Sequence, residues 1–183
     1  MYRSYKIEGI VIKRVNFAEA DKVLTIFTKK QGKLVVLAKG IRKIKSRRAP
    51  HLELFHHITA YIATGRNFDI VTEVQTIDSF SHLRANLNLL AHTFQVIEEI
   101  DRLCPEKEEH GNVFTLLLST LKQLDGKETI NSQKIVDNFT LQLLWESGYL
   151  PRDKVLSGEN LNQFLKTVME RDLKSNSLLL KIR

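Results

Sequence analysis

The sequence predicts an α+β protein, a five-stranded antiparallel barrel followed by a helical bundle. Three observations predict it. Apolar residues alternate with polar ones over the first eighty positions, then recur at helical spacing beyond Ser81. Turn residues interrupt the first part at short intervals. Charge divides at the same place: residues 1–80 carry 15 basic and 7 acidic side chains, a net of +8, whereas residues 81–183 carry 13 and 14, a net of −1. The expected domains are 1–80, a five-stranded OB-fold of the kind that binds nucleic acid, and 81–183, a helical unit. At 183 residues and 43% hydrophobic, the chain can bury a core without disulfide staples.

Element by element, Tyr5 to Arg14 reads as a long strand, with Gly9 inside it marking a bulge or bend. Lys22–Thr28 is a second strand; Gln31-Gly32 turns the chain into a third, Lys33–Lys39. A basic stretch follows, then strands over Leu52–Ala63 and Asn67–Asp78, joined across Thr64-Gly65-Arg66. In the last, strict alternation puts Phe68, Ile70, Thr72, Val74 and Thr76 on one face. Leu83, Leu87, Leu90, Phe94 and Ile97 then form one stripe of a long helix ending near Cys104-Pro105. Glu106–Glu109 is an acidic loop. Val113, Leu116, Leu117, Leu121 and Leu124 mark a second helix stopped by Gly126. Ser132 caps a third, which ends at Gly148, and Leu161, Phe164, Leu165 and Val168 mark a fourth.

Several classes are excluded. No apolar run approaches the ~20 residues of a membrane-spanning helix, and Leu178-Leu179-Leu180 is only a stub. The N-terminus does not read as a signal peptide. A single cysteine, Cys104, leaves no internal disulfide and no multi-cysteine metal site, and it fits a reducing cytoplasm. His56 and His57 are adjacent on the expected strand, point to opposite faces and read as strand surface, so no metal is expected. Glu19 and Asp21 beside Lys22 read as a structural turn. With no phosphate-binding glycine loop and no nucleophile elbow, the chain is expected to bind rather than to catalyse, with no cofactor.

The sharpest chemical feature is Lys39–Arg48, six cations in ten residues with no acid among them. Lys39, Arg42, Lys43, Lys45, Arg47 and Arg48 must sit on a loop, because that many cations cannot be buried. Their mutual repulsion would be relieved by phosphate. Lysine as a point charge and arginine as a donor fork suit a nucleic-acid backbone without reading bases. A solvated loop that only aids solubility is the plainer alternative. Aromatics are the usual stacking platforms of single-strand binders; Phe17, Phe27, Phe55, Tyr61 and Phe68 are available, and Tyr61 and Phe68, flanking the turn that carries Arg66, are the best placed.

The order of the N-terminal segments resembles the RecO family of recombination mediators. The matching runs are Glu8–Lys13, Ala18–Thr28, Gln31–Gly40, Lys45–Arg48, His51–Phe55 and Ile77–Arg84; Glu146–Pro151 and Leu173–Ser175 add to it. The resemblance implies an N-terminal OB-fold and a helical C-terminal domain. It also implies binding of single- and double-stranded DNA, annealing of complementary strands, and work with RecR and the single-stranded DNA-binding protein SSB to help RecA load. The implied location is the cytoplasm, at the nucleoid. The basic residues from Lys39 to Arg48 fall where the family contacts DNA. One departure stands out: many members carry a four-cysteine zinc module after the Gly-Tyr-Leu-Pro-like segment, whereas here only residues 152–160 separate Pro151 from the next apolar stripe. The expectation is a chain complete with the module excised. That leaves Trp145, Tyr149 and Leu150 to pack under the last helix or to form an apolar patch. The competing function is a protein-interaction adaptor, or an RNA-binding OB module without annealing activity.

Overall fold

The computed structural model describes residues 4–126 and 131–169. Contacts divide it into two units: one runs to Ser79 and takes in Glu106–Gly111, the other comprises Phe80–Pro105 and the chain from Asn112 on. The sequence runs Leu173–Ser175 and Leu178–Leu180 lie outside the described residues.

The first unit is a closed barrel of β1 (Ser4–Phe17), β2 (Asp21–Thr28), β3 (Gly32–Ala38), β4 (His57–Ala63) and β5 (Asp69–Asp78). Its order is β1-β2-β3-β5-β4, and β3–β5 is the single parallel seam, with Val36 opposite Asp69 and Leu37 opposite Ile70. This is the OB-fold arrangement. Closure depends on β1 pairing on both sides: Gly9 lies opposite Thr28 of β2 and Ile58 of β4. A Cβ at Gly9 would come within 2.6 Å of Ile26 Cγ2 and 2.9 Å of the Phe27 carbonyl oxygen. The glycine therefore marks close approach, and the register irregularity falls just beyond it, between Val11 and Lys13. Inward positions such as Leu24, Ile26, Val36, Ile58, Ile62 and Val71 fill the barrel at essentially zero exposure.

Two strand expectations need correction. Leu52–His56 is not strand; it follows a 3-10 turn, Ala49–His51, in which Pro50 has no N–H to give a ladder. Phe55 takes φ 70° and buries its ring, while Phe55 N donates to the Val11 carbonyl (2.8 Å) and Val11 N to that of His56 (3.1 Å). His56 and His57 are consequently buried rather than strand surface. In β5 the alternation breaks: Tyr61 faces Glu73 but Ile62 faces Val71, an irregularity that turns Val71 inward and leaves both Thr72 and Glu73 exposed.

The helical unit contains α1 (Ser81–Ala85), α2 (Leu87–Leu103), α3 (Gly111–Asp125), α4 (Ser132–Glu146) and α5 (Gly158–Met169). The expected single long helix is split at Asn86, whose side chain accepts from Asn88 N and Leu89 N (3.0 and 3.3 Å) and so starts a new helix. Leu87, placed on the stripe by periodicity, is thereby exposed, and Leu89, Val96, Ile100 and Leu103 carry the buried face. Asn131, not Ser132, caps α4, accepting from Lys134 N at 3.0 Å. At its far end Leu150 is buried and Trp145 Nε1 donates to the Lys154 carbonyl (2.9 Å), while Tyr149 stays exposed. Cys104 is buried. Glu99, fully buried, accepts from Gln95 Nε2 (3.2 Å) and Thr140 Oγ1 (2.8 Å); burial pushes its carboxyl up to about 8, with the two hydrogen bonds opposing. His92, buried on the same helix, is pushed down by burial, with Asp137 opposing.

Candidate nucleic-acid interface

The basic loop runs from the end of β3 to the 3-10 turn and is held in place by its own backbone. Gly40 N donates to Asp21 Oδ1 (2.7 Å) and Arg42 N to the Ala20 carbonyl (2.9 Å), which ties the loop to the β1–β2 turn. Asp21 thus has a structural task, as its place next to Lys22 predicts. Two successive turns follow, closed by Lys43 N on the Gly40 carbonyl (3.2 Å) and Ser46 N on the Lys43 carbonyl (2.9 Å). Ile41 plugs into the barrel core from within the loop, buried with Val36 and Val71. Lys39, Arg42, Lys43, Lys45 and Arg47 are exposed on this rigid frame.

Exposed Arg42 reaches the Ala18 carbonyl through Nη1 (3.4 Å), but Arg48, partly buried, is held more firmly. Its guanidinium donates to the Val71 carbonyl and to the Lys39 carbonyl (2.7 Å), so it clamps the two ends of the loop to β5. With two of its donors directed at main-chain carbonyls, it shapes the loop that displays the other cations.

Two further cations, Arg14 and Lys22, lie near the basic loop. Arg14 pairs with Glu53, and Lys22 lies close enough to Arg14 and Arg42 to feel both. Burial first, then those two cations, hold the Lys22 ammonium below its ordinary value, with Glu53 opposing.

The aromatics divide between two places. Phe68 meets Phe17 edge to face, ring centroids 6.0 Å apart. This joins the β4–β5 turn, where exposed Arg66 sits, to the β1–β2 turn to which the basic loop is tied. The Tyr5 hydroxyl donates to Asp69 Oδ2 (2.6 Å), and Asp69 Oδ1 accepts from Gly65 N (3.1 Å), which fixes the β4–β5 turn; burial and Asp69 hold the Tyr5 phenol well above its ordinary value. Tyr61 is elsewhere, on the outer face of β4, with Lys6 Nζ 5.9 Å from its ring centroid. Thus Phe68 and Arg66 share the barrel end with the basic loop, and Tyr61 belongs to a different face.

Two more residues belong to this surface: Phe17, one of the aromatics the sequence offers for stacking though not one of the two best placed, and Ile44, which the sequence reading did not single out. Phe17, half-exposed, pairs with Phe68; its signal is its position, at the end of a strand leading into a turn, which mirrors Phe68. Ile44 is fully exposed at the loop tip, an apolar side chain between Lys43 and Lys45. Among the described residues no group of three or more His, Cys, Asp or Glu could hold a metal ion, and no helix is long and apolar enough to cross a membrane.

A closed five-stranded OB barrel with a cationic loop and exposed aromatics at one end, joined to a unit of helices, defines a class of two-part proteins built on an oligomer-binding barrel. Comparison with known proteins narrows the class. The family model described as Recombination protein O N terminal matches residues 1–80, and that described as Recombination protein O C terminal matches residues 84–172. The chain belongs to the RecO family. It is 38% identical over 150 residues to the DNA repair protein RecO of Roseiflexus sp. (strain RS-1), which covers 82% of this chain and 52% of the relative. It is 37% identical over 147 residues to the protein of the same name from Dehalococcoides mccartyi (strain ATCC BAA-2266 / KCTC 15142 / 195), covering 80% of this chain and 57% of that one. The corresponding Symbiobacterium thermophilum protein is 33% identical over 147 residues, 80% of this chain and 58% of the relative. The chain spans about half the length of the curated relatives it matches.

Proposed function

We propose that the chain is a DNA repair and recombination mediator that binds single- and double-stranded DNA at the basic end of its barrel and anneals complementary strands. The observation that carries this reading is the rigid loop on which Lys39, Arg42, Lys43, Lys45 and Arg47 stand exposed beside the turn bearing Phe17. A preformed cationic loop loses little conformational freedom on binding, and its like charges gain when phosphates replace counterions. Phe17 and Phe68 offer ring surface to unpaired bases, and Ile44 offers an apolar tip. Annealing follows physically: a surface that screens two strands from one another raises their local concentration. With RecR and SSB as partners, the protein would help RecA load on gapped DNA in the cytoplasm, at the nucleoid.

The test is annealing of complementary oligonucleotides by the purified chain, together with anisotropy on labelled single strands across a salt series. Engagement of four to six phosphates gives a slope of log K against log salt of about −3 to −4. Acceleration of annealing with that slope supports the reading. A slope near zero and no acceleration would leave an interaction adaptor, and binding of RNA without annealing would leave an RNA-binding module.

A further inference from the structure

A second cationic site lies at the other end of β2, where a cavity of about 390 Å³ opens between the β2–β3 turn and the outer face of β1 and β4. Lys6, Glu8, Lys29, Lys30, Gln31 and Thr59 line it. The register separates it from the basic loop: Lys22 lies opposite Ala38 at one end of β2 and Thr28 opposite Gly32 at the other, roughly 20 Å apart at ~3.3 Å per residue. We infer that this cavity is a phosphate-binding site for a second nucleic-acid strand, distinct from the basic loop and completed by Tyr61 as a base platform.

Three features of the cavity support this. The first is charge. Among the lining residues three lysines face one carboxylate, and Glu8 is already engaged by Lys29 Nζ (3.4 Å) and His57 Nε2 (3.2 Å), so the lining keeps an excess of donors that an oxyanion would satisfy. Glu106, Glu108 and Glu109 belong to the neighbouring 106–111 segment and do not line the cavity. The second is rigidity. Gly32 sits at φ +61°, and a Cβ there would come within 1.9 Å of the Glu108 carbonyl oxygen. Glu106 bridges to Lys33, and Lys107 N donates to the Lys33 carbonyl (3.2 Å), so the 106–111 segment buttresses the turn carrying Lys29 and Lys30. The third is the neighbouring aromatic. Thr59 and Tyr61 share the outer face of β4, and Lys6, which lines the cavity, also lies over the Tyr61 ring. A phosphate held by Lys6 leaves the attached base near the Tyr61 ring, and the volume falls within the ~300–1,000 Å³ of small-ligand sites. An acidic peptide with an apolar anchor fits less well, because the apolar liner, Ile7, is buried beneath the strand.

The inference rests on the proposed DNA-binding function and gives annealing a geometry, one strand at each end of β2. The test counts strands bound per chain with the full chain and short oligo-dT. Wild type binds two; Lys29→Gln with Lys30→Gln binds one, and Lys43→Ala, Lys45→Ala and Arg47→Ala binds one at the other site. Combining both sets binds none. Tyr61→Ala lowers affinity at the second site about 5-fold without changing the first. An unchanged count of two in the Lys29/Lys30 variant, or complete loss of binding in the loop variant alone, overturns the second site while leaving DNA binding itself intact. Inorganic pyrophosphate is the independent probe: it shifts the amide signals of Lys29–Gln31 in wild type and not in the Gln variant. Pyrophosphate binding with a count of one reassigns the cavity to a free anion, and capture of an acidic peptide there reassigns it to a protein partner; either overturns the strand site. If no oligonucleotide binds at all, the function proposed above falls and the second-strand site falls with it.

Discussion

In the barrel, the core cluster from Ile7 to Val71 is apolar throughout and the cations of the basic loop stand in solvent. In the helical unit, a carboxyl group is fully buried: Glu99 lies between Gln95 and Thr140, on the helix that also buries His92. The contrast teaches that net charge says little about where charge acts. The unit with a large excess of cations displays most of them to solvent, Lys33 excepted, and the nearly neutral unit builds one of its acids into its own packing. Removing exposed cations should therefore change binding and leave folding alone. Altering Glu99 should change folding and leave binding alone.

The largest expected effect is on the barrel. Replacing Lys43, Lys45 and Arg47 by alanine removes about three phosphate contacts, worth roughly 5-fold each at 0.1 M salt for single strands, so affinity for oligo-dT at the loop site should fall about 100-fold. Anisotropy reads this, and the salt slope should flatten by about 2 while the melting temperature stays within a degree. Unchanged affinity would remove the loop from the interface. Arg48→Ala sharpens the same comparison from within the loop. Its guanidinium holds the Val71 and Lys39 carbonyls, so its loss should cost about 1.5–3 kcal/mol in urea unfolding, on the scale of hydrogen bonds to a charged group. An effect on DNA with none on stability would make Arg48 a phosphate contact like its neighbours.

On the helical side, Glu99→Gln keeps the shape and removes the titration. The folded carboxyl holds its proton up to about pH 8, against an ordinary value of 4.5. The contribution of this group to stability is thus complete below pH 4.5 and is lost as pH rises through about 8, because the unfolded chain releases the proton and the folded one retains it. The variant should melt roughly 10 °C higher than wild type at pH 8.5 and show a flatter pH profile from 5 to 8.5, with DNA affinity unchanged. Equal melting curves at pH 8.5 would show that Glu99 ionises in the fold at no cost. The smallest effect belongs to the aromatics: Phe17→Ala should weaken binding of single strands about 5-fold, near 1 kcal/mol, and leave duplex binding unaltered. Equal losses on both would assign Phe17 to positioning the turns instead of stacking.

Much of the barrel was legible along the chain because strands and turns leave short-range signals. Alternation gave the strands, and the density of cations in Lys39–Arg48 gave the loop. What alternation could not give was Leu52–His56, where Phe55 takes a left-handed conformation so that its ring can be buried, or the irregularity that turns Val71 inward. Periodicity likewise ran Leu83 and Leu87 into one stripe, because it does not register that the Asn86 side chain satisfies two backbone N–H groups by starting a new helix. Arg48 was indistinguishable from its neighbours by type; its difference lies in carbonyls 23 and 9 residues away.

The sequence by itself determined the two-part architecture, the strand content of the barrel and the concentration of cations in one loop, since all three depend on neighbours in the chain. The tertiary structure alone decided which cations are displayed and which are used as clamps, that Phe17 joins Phe68 while Tyr61 joins Lys6, and that Lys6, Lys29 and Lys30 meet around one cavity. Those pairings depend on strand register, and register is a property of the closed sheet. Closing β1 against both β2 and β4 is what carries residues more than twenty positions apart to one side of the barrel.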